Sequence, residues 1–177
     1  MIPSREQCFK LIEKYHVPKN IVKHSLTVNK VATYLAKQLI AKGEKVNYEL
    51  VDRASLLHDI AKHMKGDNHE EEGYKILKNE GLKEVALIVR KHSLFSVLSE
   101  KDKPVTWEEK IVFYADKRVI EDYIVGLEER MNYLKKRYGK SQEILRKIEE
   151  SKLLTRKIEK EIFCKIGDSP SSLNRLM

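Results

Sequence analysis

The sequence predicts an all-α fold, a single-domain helical bundle. Three observations predict it. Apolar residues recur at offsets of three and four through most of the chain, the period of one buried helix face. Helix start and stop signals fall between those stretches. With only seven Gly and four Pro in 177 residues, a many-turned all-β fold has too few turn residues, and no strand-like alternation of useful length occurs.

In order, residues 5–15 form a short first helix on Cys8, Phe9, Leu11 and Ile12, ended by Tyr15-His16-Val17-Pro18. Asn20 to Lys42 reads as a long second helix with Gly43 as its stop. Asn47 caps a third, Tyr48 to His63, carrying Leu50, Val51, Ala54, Leu57 and Ala61. Gly66-Asp67-Asn68 is a turn, and Glu70-Glu71-Glu72 places acids where the helix dipole favours them. That fourth helix stops at Gly81, and a fifth runs from Lys83 to Val97. Thr106 and Glu109 make a capping box for a sixth, on Ile111, Val112, Ala115 and Val119. From Leu127 to Ile166 two charged helices break near Gly139, before a polar Gly167-Asp168-Ser169-Pro170 end. The division expected is an N-terminal helix packed on the core (1–19), a helical core (20–125) and a C-terminal helical extension of the same domain (126–177).

At this length about 70% of the unfolded surface can be buried, so neither disulfides nor a structural metal is needed for folding. Lys and Arg number 35 against 27 Asp and Glu, a net +8. The two signs are interleaved, as in Glu128-Glu129-Arg130 and Lys147-Ile148-Glu149-Glu150, which makes solvated helix faces and no nucleic-acid stripe. The balance still favours anionic substrates. No apolar run reaches membrane-span length and the start lacks a signal-peptide core. Cys8 and Cys164 lie far apart and read as reduced thiols, so a cytoplasmic location is expected.

Four polar positions interrupt apolar faces. His24 shares a stripe with Val28, Val31 and Leu35; His58 lies with Ala54 and Ala61 and is followed by Asp59; His92 lies with Val85, Ile88 and Val89; Asp116 lies with Val112 and Val119. Buried imidazoles and carboxylates are costly unless paired or metal-bound. One alone is most often a satisfied core residue, whereas several on separate helices point to one shared metal centre.

The order His24, His58-Asp59, Asp116, with Leu56-Leu57-His58-Asp59-Ile60-Ala61-Lys62 as its local motif, resembles the HD superfamily of metal-dependent phosphohydrolases. The resemblance spans about residues 20–120 and implies that His24, His58, Asp59 and Asp116 bind a divalent metal. His69-Glu-Glu-Glu-Gly73 is similar to the His-x-x-x-Gly element of HD enzymes with binuclear centres, and His92 fits the next histidine of that set. Symmetrical diadenosine tetraphosphate hydrolases have a similar arrangement, as do small HD proteins without an assigned substrate. The chain departs from the family at Ala61, where glycine is common, and at Arg90-Lys91-His92-Ser93, where an aromatic residue commonly precedes the histidine. In the binuclear version implied by the resemblance, Asp59 bridges the metals and carries the catalytic role. His24, His58 and Asp116 complete one site, with His69 and His92 on the other.

Plainer readings stand beside these: a solvated helix-start imidazole for His69, a structural histidine for His92, a solvated lysine for Lys62. His16 and His63 match no motif, and Trp107 and Phe113 read as core anchors. Lys62, one turn after His58, and Arg118, after Lys117, are the candidate substrate-binding cations.

Mixed imidazole and carboxylate donors suit one or two ions of Fe, Mn, Co, Ni or Zn better than Mg. With no activated side-chain nucleophile in a recognisable motif, the economical chemistry is a metal-activated hydroxide attacking phosphorus in a phosphate monoester or phosphoanhydride, as in a nucleotide. The alternatives are a non-catalytic nucleotide-binding regulatory module and, further off, a di-iron oxygenase. The expected partner is a small phosphorylated molecule, with no membrane; RNA binding through the basic surface ranks last, since no recognised RNA-binding motif is present, and a homodimer is left open.

Overall fold

The computed structural model describes residues 1–64, 68–94 and 99–177. Helix α1 (Arg5–Lys14) opens on a reciprocal capping box between Ser4 and Gln7. Helix α2 (Lys19–Ala41) buries Val28, Val31, Ala32, Leu35, Ala36 and Leu39 along one face. It is the post against which α3 (Tyr48–Leu57), α6 (Trp107–Asp116) and part of α8 (Gln142–Ile166) pack. Helices α4 (His69–Asn79) and α5 (Lys83–Arg90) form a second antiparallel pair, with α5 resting on α3. Asn47, Asn68 and Thr106 cap α3, α4 and α6 through side-chain oxygens, which satisfies backbone donors that have no partner inside the helix.

Beyond α6 the chain makes a two-residue antiparallel hairpin, Val119–Ile120 with Tyr123–Ile124. The sequence predicted no strand here. Glu121, at φ 53°, makes the left-handed turn between the strands. Helix α7 (Leu127–Tyr138) then runs antiparallel to α8, and a closing 3₁₀ helix (Pro170–Leu176) returns Leu173 to the core. The break between α7 and α8 falls at Gly139, where a Cβ would collide with the Lys135 carbonyl and the Leu145 side chain.

Two apolar clusters result. The main one joins α1–α6 with α8, centred on residues such as Leu35, Leu57, Phe113 and Tyr114. A smaller one under the α7–α8 pair contains Leu94, Leu127, Met131, Leu134 and Ile148. Leu94 sits two residues past His92 and so ties this second cluster to a candidate ligand.

Three helices are shorter than their periodicity predicts. The sixth, expected to carry Val119, ends at Asp116, and Val119 pairs in the hairpin instead. The third ends at Leu57 and not at His63, and residues 58–63 form successive turns with bonds such as Ile60 N–H to Leu57 O and Lys62 N–H to Asp59 O. The Ser55 carbonyl, the acceptor an unbroken helix would offer to residue 59, receives His58 Nδ1 at 2.8 Å. The fifth ends at Arg90, and the Val89 carbonyl likewise accepts from His92 Nδ1 at 2.5 Å. A side chain bonding three residues back competes with the helical ladder. The expected end of that helix at Val97, and the Gly66-Asp67 part of the expected turn, lie outside the described residues.

Candidate metal centre

Six residues predicted from the sequence converge where α2, the end of α3, the start of α4, the end of α5 and the end of α6 meet: His24, His58, Asp59, His69, His92 and Asp116. Three of the four histidines share one arrangement. His24 Nδ1 donates to the Glu121 carbonyl at 2.7 Å, and His58 and His92 donate to the carbonyls that end their helices. Each bond assigns the ring proton to Nδ1 and leaves Nε2 pointing inward. His69 has Nδ1 3.3 Å from Glu70 Oε2 and also turns Nε2 inward. Glu70 is fixed in turn by the Ser93 hydroxyl at 2.7 Å.

The inward nitrogens sort by which oxygen of Asp59 they face. His58 Nε2 and His24 Nε2 stand 3.6 and 3.9 Å from Oδ2. His69 Nε2 and His92 Nε2 both stand 3.3 Å from Oδ1. Asp116 Oδ1 joins the first group, 3.1 Å from His24 Nε2 and 3.8 Å from His58 Nε2. Two donor triads therefore share Asp59: His24, His58, Asp59 and Asp59, His69, His92, with the ligand atoms of each within 4.8 Å of one another.

These donors fit divalent metal. His58 Nε2 and Asp59 Oδ1 are buried without a hydrogen-bond partner among the described residues. With the ring protons of His24, His58 and His92 on Nδ1, their Nε2 atoms and the facing carboxylate oxygens are acceptors, an arrangement that calls for a cation between them. Nitrogen and carboxylate donors in this proportion match first-row transition metals.

The electrostatics keep most donors in ligand form. Burial pulls His58 down to about 3, so it is neutral at physiological pH. Burial and the Lys62 charge also lower His69. For Asp59, burial alone would raise the pKa, but Lys62, His58 and the facing imidazoles hold it well below the usual carboxylate range. Asp116 is held low against burial by Lys117, His24 and Arg130. His24 is the exception: burial opposes its charge, yet Asp116 and Asp59 outweigh it and raise its pKa.

The cations differ from expectation. Lys62 lies at the centre, its Nζ 3.6 Å from Asp59 Oδ1 and 3.2 Å from His69 Nε2, with its side chain 38% exposed. Arg118 does not. It is turned to the opposite side of α6, where it bonds the Tyr114 hydroxyl, the Val125 and Pro170 carbonyls and Glu159. Two residues after Asp116 on a tight turn, it faces away from its neighbour's carboxylate. Lys117 points inward instead, donating to Asp116 Oδ2 and the His92 carbonyl at 2.7 Å each. The cation that the sequence did not single out is Arg130 on α7, with Nη2 3.6 Å from Asp116 Oδ1. No motif contains it. His16 and His63 are exposed, Phe113 is fully buried, and Trp107 packs at the core edge with Nε1 on Glu44.

Close approach sets the second triad. At Gly73, one turn after His69, a Cβ would lie 3.1 Å from Val89 Cγ1 and 3.6 Å from Ile60 Cγ2.

A family model for the HD domain matches residues 21–119. The chain belongs to the HD-domain superfamily. HD domains bind divalent metals, and the family is generally hydrolytic. The HD chain is 34% identical over 142 residues to a protein of Methanocaldococcus jannaschii described as uncharacterized, covering 73% of this chain and 84% of the relative. It is also similar to two proteins named tRNA (cytidine(56)-2'-O)-methyltransferase. The one from Picrophilus torridus is 30% identical over 143 residues, 74% of this chain and 40% of the relative. The one from Thermoplasma volcanium is 32% identical over 149 residues, 77% of this chain and 43% of the relative. The chain thus spans about two fifths of the length of these two named relatives. No solved structure gives a significant match. Among the described residues no helix is long and apolar enough to cross a membrane.

Proposed function

We propose that this HD domain is a metal-dependent phosphohydrolase that cleaves a phosphate monoester or phosphoanhydride, with a nucleotide as substrate. The observation that carries the reading is the division of Asp59, with one oxygen facing His24 and His58 and the other facing His69 and His92. One carboxylate placed between two donor sets is the geometry that a pair of ions would share.

When bound, such ions supply Lewis acidity toward a phosphoryl oxygen and acidify a water that can attack phosphorus. The chain's own residues do the rest. Carbonyl bonds to Nδ1 lock three imidazole planes, so little reorganisation is needed on loading. Lys117 holds Asp116 by one oxygen and leaves Oδ1 toward His24. Lys62 places a positive charge beside Asp59, where a substrate phosphate would enter. Burial of the donors excludes bulk water and strengthens these interactions.

The test is metal analysis of the purified protein, followed by a phosphate-release screen over nucleotides and dinucleoside polyphosphates. Chelator-sensitive phosphate release supports the reading. A fully loaded protein that binds nucleotides without turnover favours a regulatory module, and iron with oxygen consumption favours an oxygenase. The likeness to two proteins named as tRNA methyltransferases favours one variant of the reading, in which the phosphate is carried on RNA; a screen that includes RNA termini distinguishes it.

A further inference from the structure

The cations around the centre are not equivalent. Lys117 is fully buried and committed to Asp116 and the His92 carbonyl. Arg118 is committed on the far side of α6. Arg130 is different. It comes from α7, and its side chain is only 12% exposed and lies against the Tyr133 ring. Its Nε is buried with no hydrogen-bond partner among the described residues. The nearest carboxylate oxygen, Asp116 Oδ1 at 3.6 Å, is beyond hydrogen-bond length.

That oxygen also faces His24 and His58. As a metal ligand it has its charge shared with the ion, and the guanidinium is left with an unpartnered Nε and with Nη2 beside the centre. A buried guanidinium without an acceptor is costly, and a phosphoryl oxygen is the acceptor that matches its planar fork. Lys62 lies across Asp59 from it, beside the His69 and His92 nitrogens. The two cations feel one another's charge, and an anion placed between them relieves that repulsion.

We propose that Arg130 is a substrate-phosphate ligand, which with Lys62 forms a two-sided clamp across Asp59 for a phosphate dianion. This rests on the phosphohydrolase reading and adds a residue to it. Arg130 lies beyond residues 21–119, the segment matched by the family model. The clamp therefore depends on α7, which is held by Leu127, Met131 and Leu134 in the smaller apolar cluster.

The test is calorimetric titration of inorganic phosphate into the metal-loaded protein, for the wild type, Arg130→Met and Arg130→Lys. Methionine keeps the apolar stem against Tyr133 and removes the charge. The expected result is a loss of about 10- to 100-fold in phosphate affinity for Arg130→Met, the range for a hydrogen bond to a charged group. Metal per chain and melting temperature should not change, and Arg130→Lys should recover part of the affinity. Wild-type phosphate affinity in Arg130→Met overturns the proposal, as does no phosphate binding by the wild type. Loss of metal in Arg130→Met also overturns it, since Arg130 would then serve Asp116. The titration needs no turnover, so a failed hydrolysis screen with an Arg130-dependent phosphate site would sink the hydrolase reading and leave the clamp.

Discussion

His58 and Asp59 are neighbours in the chain, yet both face one centre, with His58 Nε2 3.6 Å from Asp59 Oδ2. On a continuous helix adjacent side chains diverge by about 100°. Ending α3 at Leu57 and following it with tight turns removes that divergence. Asp59 then belongs to both donor triads, whereas each histidine belongs to one.

Asp59→Asn is therefore expected to lower metal content at both positions, and His58→Ala mainly at one. Native-state binding stabilises by mass action, about 2.7 kcal/mol at a free metal concentration 100 times Kd. Calorimetric melting with metal analysis on the same samples checks this. Full metal content in Asp59→Asn would remove Asp59 from the centre.

His69→Ala should halve the stoichiometry of a two-metal protein and spare the His24, His58 and Asp116 side. Elemental analysis per chain decides. An unchanged ratio with unchanged activity returns His69 to a helix-start residue held by Glu70.

Lys62→Ala and Arg118→Ala should fail in different ways. Lys62 stands beside Asp59 and is partly exposed, so its loss should cut kcat/KM by about tenfold with metal retained. Arg118 is buried among Tyr114, Glu159 and two carbonyls. Its loss strands those acceptors and should cost about 2–3 kcal/mol of stability with KM unchanged. A KM effect without destabilisation in Arg118→Ala would contradict the geometry.

How much of this was legible in the sequence depends on what each residue's signal was. The helical period located the helices, and the polar interruptions His24, His58, His92 and Asp116 marked the centre because they broke apolar faces, with Asp59 read beside His58. The ends of α3 and α5 were not legible. The apolar pattern continues past them, and what stops them is a side-chain bond from His58 and His92 to carbonyls three residues back. The cations were mixed. Lys62 follows a helical offset that survives the turn, whereas Arg118 depends on which way one turn points. Arg130 has no local signal, since it reaches the centre through the tertiary placement of α7. The Glu121 carbonyl that orients His24 was invisible for a similar reason, as a backbone atom set by a short hairpin.

Acid should weaken the protein away from the centre as well. Glu44 accepts Lys165 at 2.8 Å and Trp107 Nε1 at 2.9 Å, and these bonds lower its pKa. A carboxyl with a folded pKa below its unfolded value contributes stability above the ordinary carboxylate range and loses it as pH falls. Glu44→Gln should flatten the decline in melting temperature between about pH 5 and pH 3. A decline as steep as the wild type's would show that the contact contributes nothing.

Gly73 has no chemistry of its own, but it sets how far His69 can be from Asp59. Helix α4 approaches Val89 and Ile60 closely because nothing projects from position 73. An added methyl would stand 3.1 Å from Val89 Cγ1, so Val89 or the helix must give by a few tenths of an ångström, and metal–nitrogen bonds tolerate about ±0.2 Å. A substitution as mild as Gly73→Ala could thus turn a two-ion protein into a one-ion protein with every donor atom still present. Screens that count ligands in a sequence would score the two chains alike, and the difference between them would be a volume the size of one carbon.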